Sequence, residues 1–344
     1  MQGTGYNQNS LATKAEIGNC WSEKQKLFTR LKNFCCSHNI KYPLKNTDFG
    51  IQSSEKFVLL ALNEVIPSYE YWKEFNDKCK AQGKKAIIIT DNFLSLEDLE
   101  CVKFYSNPEM IGVFAVTDSF VTPQRRTKKY NCFMNRIESS RQSWFYFLHI
   151  HGLLDQGYVS FLLTQLSDYS TLTGKELFSY IHKTYQLDQL GHFEKAYQEL
   201  KDMVPYRNFD PTANLDDLIL DSKYSLILES YAANDINDRW SFSEKSFRTL
   251  QLPSLPLFFG QPNAVKKLES LGLIIGVDHS EFEHLPWYDR QRELLNILIE
   301  DTIDLDETVL YNQCMHNRDE MNNLLLKCQQ DDFFDEFFTL VLEQ

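Results

Sequence analysis

Residues 56–90 read KFVLLALNEVIPSYEYWKEFNDKCKAQGKKAIIIT. The run 56–62 is apolar without alternation, which is how a strand buried on both faces reads. Ser68 stands at a helix N-cap, and the residues after it stay helix-compatible to about Gln82, before Gly83. A second apolar run, KAIIIT, fills 85–90. Strand, helix, strand predicts a parallel βαβ unit with a right-handed crossover. Outward from it, SLEDLECVKFY (95–105) opens with Ser95 and Asp98 in a capping pattern and predicts a further helix, and IGVFAVT (111–117) predicts a third strand. Upstream, Leu27, Leu31, Phe34 and Cys35 lie at helical spacing within 22–38, behind a loose polar arm of about twenty residues.

The alternation restarts after VTPQRRTKK (121–129), a polar basic bridge that reads as a solvated hinge. YNCFMN (130–135) predicts a strand and Ser139–His151 a helix ending at Gly152. YVSFLLT (158–164) is the next strand, and 173–203 is helical or mixed. YSLILES (224–230), a helix over 243–251 stopped by Pro253, the strand LPLFF (255–259) and a helix over 261–270 closed by Gly272 follow in turn. Residues 288–342 read as helical throughout. The expected architecture is therefore α/β with two Rossmann-like domains and a helical C-terminal extension. The boundaries fall at 1–50 (arm and helix), 51–125 (first domain), 126–300 (second domain) and 301–344 (helices).

Composition agrees with a globular chain of this size. At roughly 150 residues per domain, 344 residues hold two domains. Aromatics at 14% supply a sizeable core and exclude disorder as the dominant state. A net charge of −13 argues against a surface built mainly for nucleic acid, although the run Arg125, Arg126, Lys128, Lys129 leaves a local basic patch. No run approaches the roughly 20 apolar residues of a membrane span, and the N-terminus lacks a signal-peptide pattern. The eight cysteines show no CxxC and no regular spacing, as expected of reduced thiols in a cytoplasmic protein.

Ligands of open α/β domains bind beyond the carboxyl ends of strands, beside helix N-termini. After the strand at 130–135 come Arg136 and then Arg141, in the first turn of a helix; after 224–230 comes Ser243-Glu244-Lys245, with Ser243 as N-cap and Lys245 in the first turn. Helix dipoles favour carboxylates there, so two cations at successive junctions point to a bound anion such as a diphosphate. His149 and His151 diverge on one helix and read as packing residues, whereas His279 and His284 could meet a base or phosphate. Asp304-Leu-Asp306 lies among C-terminal helices rather than after a strand and reads as a helix start. There is no GxGxxG, GxxxxGK[ST] or HExxH.

The stretch from Tyr224 to Leu273, with Glu229 closing a strand, Phe242-Ser243-Glu244-Lys245 opening a helix and Pro256 to Gly260 in the next strand, resembles the donor-binding half of GT-B-type glycosyltransferases. It is most similar to the α1,3-fucosyltransferase family and its viral and bacterial relatives. FMNRIESSRQSWFYFL resembles that family's strand–Asn–helix segment, with Asn135 and Arg141 on matching positions. Coverage is about 130–300, and the Ser-Glu-Lys element is the most specific part. The polar loop from Asn234 to Trp240 is longer than is usual in that family.

The resemblance implies that Asn135, Arg136, Arg141, Glu229, Ser243, Glu244 and Lys245 bind a GDP- or UDP-linked sugar. Arg141 and Lys245 would hold the diphosphate, and Glu244 would accept from sugar or ribose hydroxyls. No metal or separate cofactor is implied, and the expected transfer is hexosyl- or fucosyl-type and inverting. The base that deprotonates the acceptor would be a carboxylate after a first-domain strand: Glu64 first, then Asp91, with Asp118 as a third candidate. The acceptor stays open between glycan, protein and nucleic acid. The rival class is a catalytically silent relative that keeps the fold for binding or scaffolding.

Overall fold

The computed structural model describes residues 57–62, 69–83, 85–90, 93–94, 99–106, 125–134, 139–162, 199, 203, 205–229, 239–240 and 242–329. The chain forms two compact units, one drawn from 1–11, 117–235 and 248–317, the other from 12–116, 236–247 and 318–344.

In the second of these, β1 (Phe57–Leu62), β2 (Lys85–Thr90) and β4 (Val102–Ser106) make a three-stranded parallel sheet in the order β1-β2-β4. Helix α1 (Tyr69–Ala81) joins β1 to β2, as the apolar runs require. Its Trp72, Phe75 and Cys79, at helical spacing, bury against Ala86, Cys101 and Val102. Asn76 Oδ1 accepts from the Cys101 amide at 2.8 Å, which ties α1 to the start of β4. A two-residue strand, β3 (Phe93–Leu94), pairs antiparallel with β9 (Arg239–Trp240). Of the helix expected over 95–105, the described residues 99–105 are not helical, because Val102 to Ser106 pair in register with Ala86 to Thr90, and 95–98 lie outside the described residues. β-branched and aromatic side chains at Val102, Phe104 and Tyr105 suit that strand better than a helix. The strand expected over 111–117 lies outside the described residues, as do the arm and helix expected over 1–50.

The other unit is a five-stranded sheet in the order β10-β8-β5-β6-β7. β5 (Lys128–Met134), β6 (Gly157–Phe161), β8 (Ser222–Leu228) and β10 (Leu255–Phe259) run parallel; β7 (Tyr206–Arg207) is antiparallel on the edge. Alternate residues of these strands, among them Tyr130, Cys132, Met134, Leu226, Leu228, Leu257 and Phe259, share one aromatic core with Trp144, Phe145, Phe147 and Leu148 of α2 (Ser139–Ile150). Leu294, Leu295 and Leu298 of α6 (Trp287–Glu300) complete it. At roughly 1.5–3 kcal/mol for each large side chain, this burial is the main force holding the unit together. The end of α2 follows from Gly152, whose φ of +64° is open to glycine at little cost. It lets the Gly152 and Leu153 amides bond back to the carbonyls of His149 and Leu148. Two short helices belong to this unit, α3 (Leu215–Leu220) before β8 and α5 (Ala264–Ser270) after β10, while α4 (Glu244–Thr249) is divided between the two units.

Two further expectations are corrected. The C-terminal region is not one helical stretch: α6 ends at Asp301, whose φ is +54°, and α7 (Glu307–Gln329) begins only after 301–306. Lys223 Nζ at 2.5 Å and the Tyr224 hydroxyl at 3.0 Å both donate to the Asp301 carboxylate and hold that break. The basic bridge is not a solvated hinge at Arg126. That guanidinium, 5% exposed, binds both carboxylate oxygens of Glu307 and the carbonyls of Leu220, Ser222 and Pro253. β5 then starts two residues before the expected position, at Lys128.

Candidate functional site

β5 lies between β6 and β8, so the chain leaves β5 to one side through α2 and later returns to its other side. The carboxyl ends of β5 and β8 thus form a topological switch point, where open α/β sheets bind ligands. Two residues expected to bind a donor meet there. Arg141 is the third residue of α2, whose first turn holds no acidic residue. It is 1% exposed, and its Nη2 donates to the Leu228 carbonyl at 3.3 Å, at the very end of β8. Glu229 is the next residue, also 1% exposed, and its amide donates to the Phe259 carbonyl at 3.0 Å. Burying an ion costs several kcal/mol unless it is paired and hydrogen-bonded, so a charge kept here has a specific task in packing or binding.

The neighbouring strand end repeats the pattern with a residue that was not singled out from the sequence. Arg290, in the first turn of α6 and 3% exposed, donates from Nη2 to the Gly260 carbonyl at 3.1 Å and from Nη1 to the Leu285 carbonyl. Its guanidinium also sits 6.0 Å from the Phe259 ring centroid. Gly260 follows β10 directly, and a Cβ there would stand 2.5 Å from Phe258 Cε1, so only glycine fits. Behind these residues the Ser143 hydroxyl donates to Gln291 Oε1 at 2.7 Å, joining α2 to α6 inside the core. A cation in a helix first turn was the available signal for Arg290. Asp289 beside it made the α6 start look ordinary.

Ser243 and Lys245 occupy their expected places. The amides of Ser246 and Phe247 bond to the Ser243 carbonyl, and the Lys245 amide approaches Ser243 Oγ at 3.4 Å. Both side chains are half-buried, Glu244 begins α4, and α4 is only six residues long. Glu64, Asp91, Asp118, Asn135 and Arg136 lie outside the described residues. His279 is not a ligand-facing group. It is buried, its Nδ1 donates to the Val277 carbonyl at 2.7 Å, and its Nε2 accepts from the Phe258 amide at 3.1 Å. Burial lowers its pKa to about 4, so this neutral ring serves the edge strand β10. His151 stacks on Phe147 and His149 pairs with Glu199 at 2.9 Å, in keeping with packing roles. Asp306 accepts from the amides of Thr308 and Val309 and caps α7.

Among the described residues no group of three or more His, Cys, Asp or Glu side chains is arranged to hold a metal ion. None of the described helices is long and apolar enough to cross a membrane. Comparison of the chain with protein-family models, with curated proteins and with solved structures gave no match.

Proposed function

We propose that this chain is a metal-independent glycosyltransferase of GT-B type, moving a sugar from a GDP- or UDP-linked donor to an acceptor hydroxyl. The observation that carries the reading is the pair Arg141 and Glu229 at the β5/β8 switch point, on the strand ends where a nucleotide diphosphate would lie. The sequence resemblance, rather than the described geometry, brings in Lys245, Glu244, Asn135 and Arg136. The buried guanidinium of Arg141 contributes positive potential at the strand ends. Lys245, which keeps some exposure, is the cation suited to direct contact with phosphate.

In the reaction the acceptor oxygen bonds to the anomeric carbon while the bond from that carbon to the diphosphate oxygen breaks. The sugar passes through an oxocarbenium-like state, the nucleotide diphosphate leaves with the electron pair, and cations stabilise its charge. The acceptor proton goes to a carboxylate, for which Glu64 and then Asp91 are the candidates. Cys79, Cys101, Cys132 and Cys314 are free thiols, which supports the proposal of a cytoplasmic setting.

A thermal-shift panel of nucleotide diphosphates and nucleotide sugars tests the reading. A binder at about 100 times its dissociation constant stabilises the fold by about 2.7 kcal/mol. A panel without a single shift would remove the enzyme. A second reading, a non-catalytic binding protein, draws on the near-complete burial of Arg141 and Glu229, because buried ions also serve to fix strand ends. Donor turnover on an acceptor array separates it from the first.

A further inference from the structure

We infer that Arg290 is a positioning residue for Glu229, acting through the end of β10. The path is short and continuous. Arg290 Nη2 holds the Gly260 carbonyl at 3.1 Å, and Gly260 is the residue after Phe259. The Phe259 carbonyl accepts the Glu229 amide at 3.0 Å. A second donor, Nη1, ties the same guanidinium to the Leu285 carbonyl just before α6, and its plane lies near the Phe259 ring. One planar cation thus fixes the helix start, the ring and the carbonyl that follow one another around the end of β10. A Cβ at Gly260 would stand 2.5 Å from Phe258 Cε1, so glycine lets the Phe258 ring pack against this turn of the chain.

From the other side, Arg141 holds the Leu228 carbonyl. The Leu228–Glu229 peptide is therefore held at its carbonyl by Arg141 and at its amide by the Phe259 carbonyl, and Arg290 anchors the chain one residue beyond that carbonyl. Glu229 belongs to the candidate donor site, so its placement bears on donor binding, and that consequence rests on the glycosyltransferase reading. The positioning itself does not.

Arg290→Lys keeps the charge and most of the stem but loses the planar fork that serves two carbonyls at once. Native-state amide exchange reads the effect directly. The Glu229 amide is expected to exchange about tenfold faster in Arg290→Lys, with the Leu226 amide in mid-strand unchanged. Equal acceleration at both amides, or none at Glu229, would overturn the inference. Arg290→Gln, which is uncharged and two bonds shorter, should accelerate exchange at the same amide at least as much as Arg290→Lys. Titration of both proteins with GDP- and UDP-linked sugars forms the second arm. Weaker sugar binding in Arg290→Lys with a selective Glu229 response supports positioning of a donor site. A selective Glu229 response without sugar binding by either protein also supports the positioning, and it is then the glycosyltransferase reading that fails.

Discussion

A lysine in the first turn of a helix gains nothing from the dipole it faces. Lys245→Ala should therefore leave the melting transition within about 0.5 kcal/mol of the parent. If the ammonium meets a diphosphate, the same change should weaken donor binding about 30- to 150-fold, the equivalent of about 2–3 kcal/mol. Unchanged affinity with a clearly lower melting temperature would make Lys245 a structural residue instead. Arg126 carries the opposite expectation. Its donors serve Glu307 and three carbonyls from segments far apart in the chain, so Arg126→Ala should cost about 3–5 kcal/mol in urea denaturation. A cost below about 1 kcal/mol would restore the solvated hinge. From sequence this arginine sits in a basic run and reads as solvent-facing, because its acceptors are assembled only by the fold. Arg141 is legible from its place after a strand, and Glu229 only from the family resemblance. Their burial is not, and neither is Arg290.

At the scale of elements, strands written as continuous apolar runs read most sharply. β1 begins one residue inside its expected run, and β2 and β10 match theirs to the residue, since continuous apolar segments bounded by glycine, proline or charge leave little freedom of assignment. β4 reads as helix from the sequence, because a local capping pattern at Ser95 and Asp98 competes with the strand preference of Val102, Phe104 and Tyr105. Pairing with β2 decides between them, and pairing is tertiary information. The break at Asp301 is similar: no glycine or proline announces it, and contacts from Lys223 and Tyr224 hold it.

The edge strand β10 depends on a neutral imidazole, which gives its stability a pH dependence. His279 titrates near 4 in the fold against 6.5 for an ordinary histidine. Its contribution is complete above the unfolded value and is lost as pH falls through that window, because the unfolded chain takes up the proton first. The loss approaches about 3 kcal/mol at the acid limit. Urea midpoints at about pH 7 and about pH 5 should differ by more in the parent than in His279→Gln. Equal pH dependence in the two would show that His279 is not the group responsible.

At the scale of the molecule, the sequence is legible as α/β with parallel sheets, and the structure describes two such units, each with its own sheet. The GT-B reading adds that the sheet built around β5 and β8 receives a nucleotide diphosphate whose charge is met by side-chain cations. Calorimetric titration of GDP, UDP and their sugars in the presence of a chelator tests this most directly. Binding of at least one of these ligands, with the same affinity whether or not divalent metal is present, is the expected result. Affinity that vanishes when metal is stripped, or no binding by any of them, would contradict it.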